Sequence, residues 1–366
     1  MRTKIRNPKS EIRNGFTLVE LLMVITIIAI LMSITIAVVG AFIGQARDSA
    51  TTTTLSKIQS LMDSRRRAFD RLIQRKGFLT GSTEYIAAGP GFYGLQGQTQ
   101  KIVAIKLLQV KYFPQSASDL NFLLQVYGAN NAAKEQLALM YPKLFVQPLS
   151  NPPVVVPNLT NSEILYIVLT ENVIGDTPIG QDAFSTAEFR TEAPPPSGGS
   201  MRTAGLPYFT DAWQNPIRFY RWPTRLFRSG GPGATPTAQD VANAKVTFSA
   251  LPVFTGNLAN DLQRDPDDPL QVCTNIVING NTMNFESAFG APAFHTPATF
   301  HMPLIVSAGA DGYLGLAEPD APDVAGSPAV LGRLASLNIT ATHTAQQAQD
   351  ELSDNIVSAS IKAGGK

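Results

Sequence analysis

The first hydrophobic pattern along the chain is a long apolar run that begins at Phe16 and ends at Ile43. Glu20 is the single charged residue in these 28 positions. A helix needs about 20 apolar residues to cross a bilayer, whereas the apolar core of a signal peptide has about 7 to 15. The run therefore predicts one transmembrane helix that serves as a stable anchor.

After this run, apolar residues recur at every third or fourth position, which is typical of an amphipathic helix. The predicted buried stripe holds Leu55, Ile58, Leu61, Met62, Phe69, Leu72 and Ile73, and the predicted polar face holds Lys57, Asp63, Arg65, Arg66, Asp70, Arg71 and Arg75. Gly77 is a natural end for the helix. Acidic residues lie among these arginines, so a solvated or intersubunit face is favoured over a nucleic-acid surface.

The middle of the chain has mixed helical periodicity followed by irregular sequence. Residues 101–145 predict two or three helices, with Ser118 and Asp119 as a candidate N-cap. Residues 162–175 form an apolar run that is too short for a membrane span, so we expect a buried helix or strand. The sequence EAPPPSGGS at residues 192–200 predicts an exposed loop or a boundary.

The C-terminal half has the alternation of β structure. Residues 208–222 alternate apolar and polar side chains around an Asn-Pro turn, which predicts a hairpin leading into a strand. Residues 303–316 contain a further apolar strand followed by a loop with glycines. Together with the helices, these segments predict an α+β fold.

Composition argues against several classes of function. The net charge of +1 gives no sign of nucleic-acid binding, and the single cysteine, Cys273, excludes an intramolecular disulfide. His295, His301 and His343 lack the spacing of zinc ligands. The glycine-rich residues 229–237 lack the lysine of a phosphate-binding loop. We therefore expect a protein that is not an enzyme.

A basic leader, Met1 to Gly15, precedes the apolar run. Cationic flanks of this kind stay cytoplasmic, so we expect the C-terminal region to be extracytoplasmic. With this leader and the apolar run, the sequence Gly15-Phe16-Thr17-Leu18-Val19-Glu20 resembles the processing site of type IV prepilins and pseudopilins. Many relatives have proline where this chain has Ala37, so no proline kink is expected.

The resemblance implies that a prepilin peptidase cleaves between Gly15 and Phe16 and that Phe16 is N-methylated. It also implies assembly through the N-terminal helix, in which the Glu20 carboxylate pairs with the free Phe16 amine of a neighbouring subunit. Such pairing offsets much of the free-energy cost of burying the carboxylate. The alternative is a carboxylate that reaches the lipid headgroups near the end of the helix.

A second resemblance lies in the C-terminal half. The residues that carry it are Asp211, Trp213, Asn215, Pro216 and Tyr220, which resemble a segment of the major pseudopilin of type II secretion. Gln214 occupies the position of that segment's glycine. Residues 303–316 resemble the last strand of the same family and the loop after it.

In relatives this loop binds calcium. Calcium prefers about six to eight oxygen ligands. The resemblance implies four candidate ligands, which are Asp311, Glu318, Asp320 and Asp323. Prolines in the loop depart from the family's glycine-rich pattern, and a solvated acidic turn is the alternative. The second acidic segment, residues 264–269, is interpreted as a rigid surface loop.

These expectations combine into a pilin-like α+β subunit with four regions. They are the leader at residues 1–15, the N-terminal helix at 16–76 with its transmembrane part at about 16–43, a mainly helical insertion at 77–200, and a β-rich region at 201–366. We expect a single-pass protein of the bacterial inner membrane that later enters a periplasmic pseudopilus or an extracellular filament.

The expected function is that of a structural subunit of a type II secretion pseudopilus or a related type IV filament. Its expected partners are prepilin peptidase, copies of itself, other pilins or pseudopilins, the inner membrane, and the platform proteins and cargo of a secretion system, with no nucleic acid. One alternative is a surface type IV pilin for adhesion, motility or DNA uptake. Another is a membrane-anchored binding module that does not polymerise.

Overall fold

The computed structural model describes residues 17–91, 93–147, 152–171, 174, 183–191, 205–221, 268, 272, 275–278, 281–284, 303–320, 344–351 and 354–358. Several features named above lie outside these residues. They are the leader with Gly15 and Phe16, Cys273, the three histidines, Asp323, and residues 192–200 and 229–237. The chain divides into two compact units, Met1–Arg47 and Asp48–Lys366.

The first helix, α1, extends from Leu18 to Gln74 and is 57 residues long. Among the described residues it is the helix that is long and apolar enough to cross a membrane. The hydroxyl groups of Thr26, Ser33 and Thr35 donate to backbone carbonyls three or four residues earlier. Polar side chains within the apolar part are therefore satisfied inside the helix.

Shorter helices follow α1. They are α2 (Phe78–Gly81), α3 (Thr83–Ile86), a π-helical turn (Ala87–Gly91), α4 (Gly97–Tyr112), α5 (Ala117–Val126), α6 (Asn131–Met140), a 3-10 turn (Pro142–Leu144), α7 (Asn161–Thr170) and α8 (Ala345–Glu351). The cap of α5 is Ser116 rather than Ser118, because the Ser116 hydroxyl accepts from Asp119 N and Asp119 is the third residue of the helix. All ten residues of α7 are buried, as expected for its apolar run.

The second half of α1 packs in the core of the larger unit. Leu55, Ile58 and Met62 are fully buried, as the spacing predicts. The prediction for Arg65 was wrong, because this side chain is 6% exposed. Its guanidinium donates to the carbonyl of Tyr112 at 3.0 Å, and this bond at the end of α4 compensates the burial of the charge.

The strands are short and pair in antiparallel fashion. Within the described residues, three two-stranded pairs are β1 (Phe145–Gln147) with β2 (Val154–Val155), β3 (Phe189–Arg190) with β4 (Tyr208–Phe209), and β6 (Asn275–Ile278) with β7 (Asn281–Asn284). A three-stranded sheet has the order β5 (Arg218–Tyr220), β8 (Leu304–Ser307) and β9 (Ile356–Val357). The α+β prediction is confirmed.

Two details of the sheet differ from the sequence-based picture. The predicted hairpin exists, but its turn is closed by a bridge between Thr210 and Pro216. The strand β8 is not the last one, because β9 pairs with it through Val306 and Val357. At two residues, β9 is too short to produce a period-two pattern in the sequence.

One hydrophobic core joins the helical and the β-rich regions. It contains side chains of α1 and α4 to α7 together with Phe209, Ile217, Phe219 and Ile305 from the strands. A smaller cluster lies around β8 and β9, with Val306, Leu316 and Val357 among its members. The helices between residues 78 and 171 therefore share their core with the strands.

Candidate functional site

Glu20 lies in the first turn of α1 and is held by Thr17. The Thr17 N–H and the Thr17 hydroxyl each donate to Glu20 Oε2 at 2.9 Å. In return, the Glu20 N–H donates to Thr17 Oγ1 at 3.2 Å. This reciprocal arrangement is a capping box, and it satisfies backbone N–H groups that the first turn of a helix leaves unpaired.

The capping box uses one oxygen of the carboxylate and leaves the other open. Both Thr17 and Glu20 are exposed, and within the described residues Glu20 Oε1 accepts no hydrogen bond. The structure thus presents an oriented carboxylate with a free oxygen at the start of an apolar helix. This role of Thr17 was not predicted from the sequence, although the Thr-x-x-Glu spacing before an apolar run is a signal for it.

A second candidate site is the turn that carries the tryptophan. Asp211 Oδ1 accepts from Trp213 N at 2.9 Å and from Asn215 N at 2.8 Å, which closes the turn. Gln214 has a φ of 75°, in the left-handed region that favours glycine. Gln214, which replaces the glycine of the pseudopilin segment, therefore occupies a position where a residue other than glycine strains the backbone.

The two segments of the second resemblance meet at this turn. Ser307 Oγ donates to Asp211 Oδ2 at 2.7 Å, and Asn215 Nδ2 donates to the Gly309 carbonyl at 2.9 Å. Burial raises the pKa of Asp211, although its hydrogen bonds act in the opposite direction. Ala212 N donates to Thr51 Oγ1 at 3.1 Å, so α1 holds the same turn.

The candidate calcium ligands have different surroundings. Glu318 pairs with Arg218, whose Nη2 lies 2.8 Å from Glu318 Oε1. Asp320 Oδ2 accepts from Asn161 N at 3.1 Å, at the start of α7. Asp311 is exposed in the loop after β8, and its Oδ1 accepts from Tyr313 N at 2.8 Å.

Within the described residues, no group of three or more His, Cys, Asp or Glu side chains could hold a metal ion. Asp323 lies outside those residues, and calcium binding stays a prediction. Burial raises the pKa of Asp320, and the neighbouring charge of Glu318 raises it further.

Sequence reasoning missed Asp354 and Asn355, which contact the loop after β8 through Asp311 and through the Leu314 carbonyl, respectively. Asp311 N donates to Asp354 Oδ2 at 3.0 Å. Asp354 Oδ1 and Asn355 Oδ1 are buried and accept no hydrogen bond within the described part of the chain. Burial raises the pKa of Asp311, and the charge of Asp354 adds to this effect. These residues follow Asp311 by more than 40 positions, so no local motif connects them.

Comparison with known proteins identifies the N-terminal site. Residues 12–36 match the family model described as the prokaryotic N-terminal methylation motif, the hallmark of type IV prepilins and pseudopilins. This motif indicates a type IV pilin-like protein that is processed by prepilin peptidase and assembles with other pilins, which suggests a structural role. Comparisons with curated proteins and with solved structures gave no significant match.

Proposed function

We propose that this protein is a structural subunit of a type II secretion pseudopilus or a related type IV filament. Prepilin peptidase removes residues 1–15, Phe16 becomes the methylated N-terminus, and the apolar part of α1 holds the subunit in the inner membrane until it assembles. The observation that carries the proposal is the exposed carboxylate of Glu20 at the start of an exposed apolar helix, whose Oε1 accepts no hydrogen bond from the described residues.

The exposed apolar surface of α1 supports assembly through this helix. Its large apolar side chains between Leu18 and Ile43 are exposed, so water must be excluded from them by lipid or by neighbouring helices. In such surroundings a lone carboxylate is costly, and an amine from a neighbour is the partner that reduces this cost. The free Phe16 amine, which cleavage creates, has the required charge.

Topology follows from charge. The basic leader remains on the cytoplasmic side, which directs residues 48–366 across the membrane. After assembly this region forms the outer part of a periplasmic pseudopilus or of an extracellular filament.

The resemblance to the major pseudopilin favours the secretion pseudopilus over a surface pilus. Its two segments, residues 211–220 and 303–316, lie in contact through Asp211, Ser307, Asn215 and Gly309. Two segments that are about 100 residues apart in the sequence can act together only if the fold brings them into contact. Platform proteins and cargo of a secretion system are the partners that this function requires.

We also propose that the loop after β8 binds calcium through Asp311. Asp354 accepts from the Asp311 backbone N–H, and Asn355 donates to the Leu314 carbonyl of the same loop. The remaining side-chain oxygens of Asp354 and Asn355 accept no hydrogen bond from the described residues and have the chemistry of calcium ligands. Glu318 and Asp320 would have to leave Arg218 and Asn161 to bind the same ion, and Asp323 completes the set that the resemblance implies.

The proposed function is tested first at the N-terminus. Intact-mass analysis of protein extracted from membranes should give a chain that begins at Phe16 and carries a methyl group. A retained Met1 in cells with an active prepilin peptidase would contradict the proposal. Cleaved, inserted subunits that never form filaments in electron micrographs would favour the non-polymerising anchored module.

A further inference from the structure

The outer edge of strand β5 is closed by a side chain from the helical region. Among the described strands, which have the order β5, β8, β9, strand β5 lies at the edge of the sheet. Alternate residues of an antiparallel strand direct their backbone groups to opposite sides. Phe219 directs its backbone N–H and C=O groups outward, away from β8. Asn161 Oδ1 accepts from Phe219 N at 2.6 Å, and Asn161 Nδ2 donates to Phe219 O at 2.8 Å.

The neighbouring outward positions are satisfied as well. Arg221 N donates to Gln115 Oε1 at 2.9 Å, and Ile217 N donates to the Phe209 carbonyl at 3.0 Å. Three successive outward N–H groups of this edge therefore have partners, and two of the partners are amide side chains.

Both amide side chains are held firmly in place. Asn161 is 1% exposed and Gln115 is fully buried. Asn161 Nδ2 also donates to the Gln115 carbonyl at 2.8 Å, and Gln115 Nε2 donates to the Pro319 carbonyl at 3.1 Å. Because these bonds connect the two amides with each other and with the loop after β8, the edge cannot open by rotation of one side chain.

An open strand edge is a template for pairing with a strand from another chain. We infer that the helical region, through Asn161 and Gln115, blocks strand addition at the β5 edge, so that contacts between copies of this chain use other surfaces. This inference goes beyond the proposed function and does not depend on filament formation.

The test compares hydrogen exchange at adjacent amides in the full-length protein solubilised in detergent. In Asn161→Ala, the Phe219 amide should exchange about tenfold faster than in the wild type, because its hydrogen-bond partner is gone. The Tyr220 amide, which faces β8, should keep its exchange rate. Sedimentation should show that the variant self-associates at concentrations where the wild type does not.

Ser162→Ala is the matched control. It removes a buried hydrogen bond from the same helical turn to Phe209 O, at 2.9 Å, and leaves the Phe219 and Arg221 caps intact. Unchanged exchange at Phe219 in Asn161→Ala, or equal acceleration in Ser162→Ala, would overturn the inference. So would faster exchange at Phe219 without self-association.

If Asn161→Ala unfolds the protein, the Tyr220 amide also loses its protection from hydrogen exchange, and a milder variant is then used. Gln115→Ala removes the partner of Arg221 N and leaves the Asn161 pair with Phe219 in place. Faster exchange at Arg221 with unchanged exchange at Phe219 would support the inference, because each amide side chain then protects its own position on the edge, and unchanged exchange at Arg221 would overturn it.

Discussion

Helices α1 and α5 begin with the same local motif in opposite surroundings. In α1, Thr17 and Glu20 cap the first turn on an exposed surface, and one carboxylate oxygen is left open. In α5, Ser116 and Asp119 form the same box, but Asp119 is fully buried and its Oδ2 lies 2.7 Å from Arg221 Nη1. Its Oδ1 also accepts no hydrogen bond from the described residues, but it is enclosed in the fold and no other molecule can reach it.

The difference shows that a capping box determines where a helix starts but not what its acid does afterwards. Helix α7 also begins with a capping box, which is formed by Thr160 and Glu163. There the second carboxylate oxygen of Glu163 accepts from Leu206 N at 2.8 Å. Two of the three acids are thus committed to their own chain. Glu20 has an oxygen available for another molecule.

The largest expected effect is at the buried acid. Asp119→Ala removes the carboxylate half of the α5 capping box and leaves Arg221 buried without its carboxylate, so the free energy of unfolding should fall by about 3 to 5 kcal/mol. Urea unfolding of the detergent-solubilised chain measures this change. Glu135→Ala, an exposed acid on α6, is the control and should change the free energy by less than about 0.5 kcal/mol. A loss below about 1 kcal/mol for Asp119→Ala would contradict our account of the pair.

The exposed acid should affect assembly far more than the stability of the larger unit, because its capping box with Thr17 stabilises only the first turn of α1. Glu20→Ala should leave insertion and cleavage intact but abolish filaments, because the neighbour's ammonium loses its partner when the helices pack together. Glu20→Lys should be at least as defective, since it places two positive groups together. Electron microscopy and cysteine crosslinking at matched expression measure assembly. Wild-type filaments from Glu20→Ala subunits would refute the intersubunit role.

The acids of the loop after β8 can be compared with the capping-box acids, because their expected partner is calcium. If the open oxygens beside Asp311 bind calcium, a chelator should lower the melting temperature, because binding at 100 times the dissociation constant stabilises the fold by about 2.7 kcal/mol. Asp311→Asn should abolish this response. Asp320→Asn, whose remaining oxygen can still accept from Asn161 N, tests whether Asp320 is also a ligand. Equal melting of the wild type with calcium and with chelator would leave only the acidic turn.

Thr17 allows a finer test of the exposed capping box. Thr17→Val removes the hydroxyl that donates to Glu20 and should weaken the cap by about 0.5 to 2 kcal/mol. Thr17→Ser retains the hydroxyl and should assemble like the wild type. The yield of crosslinked subunits measures assembly, and it should be lower for Thr17→Val than for Thr17→Ser. Equal yields for the two variants would show that Thr17 does not position Glu20.

The smallest expected effect is a gain in stability at the tryptophan turn. Gln214→Gly relieves a left-handed backbone, and the greater freedom of glycine in the unfolded chain limits the gain to about 0.5 to 1 kcal/mol. Thermal unfolding would detect this increase. A decrease would mean that the Gln214 side chain contributes more than its backbone strain costs.

Much of the fold was predictable because its signals are local. The apolar run, the buried stripe of Leu55, Ile58 and Met62, and the burial of α7 depend on spacing along one helix. The burial of Arg65 was not predictable from spacing along the helix, because its hydrogen-bond partner, the Tyr112 carbonyl, is 47 positions away in the sequence. The short strand β9 likewise exists through its pairing with β8.

The sequence by itself determined that this chain has a methylation motif, an anchor helix and an acid at the start of that helix, because each depends on neighbouring residues. Only the tertiary structure decided which acids remain available. It directs Arg221 to Asp119 and Arg218 to Glu318 across about 100 positions, and it leaves the Glu20 carboxylate exposed. The physical reason is that a charged group inside the fold is stable only beside a partner, and chain folding alone brings distant partners together.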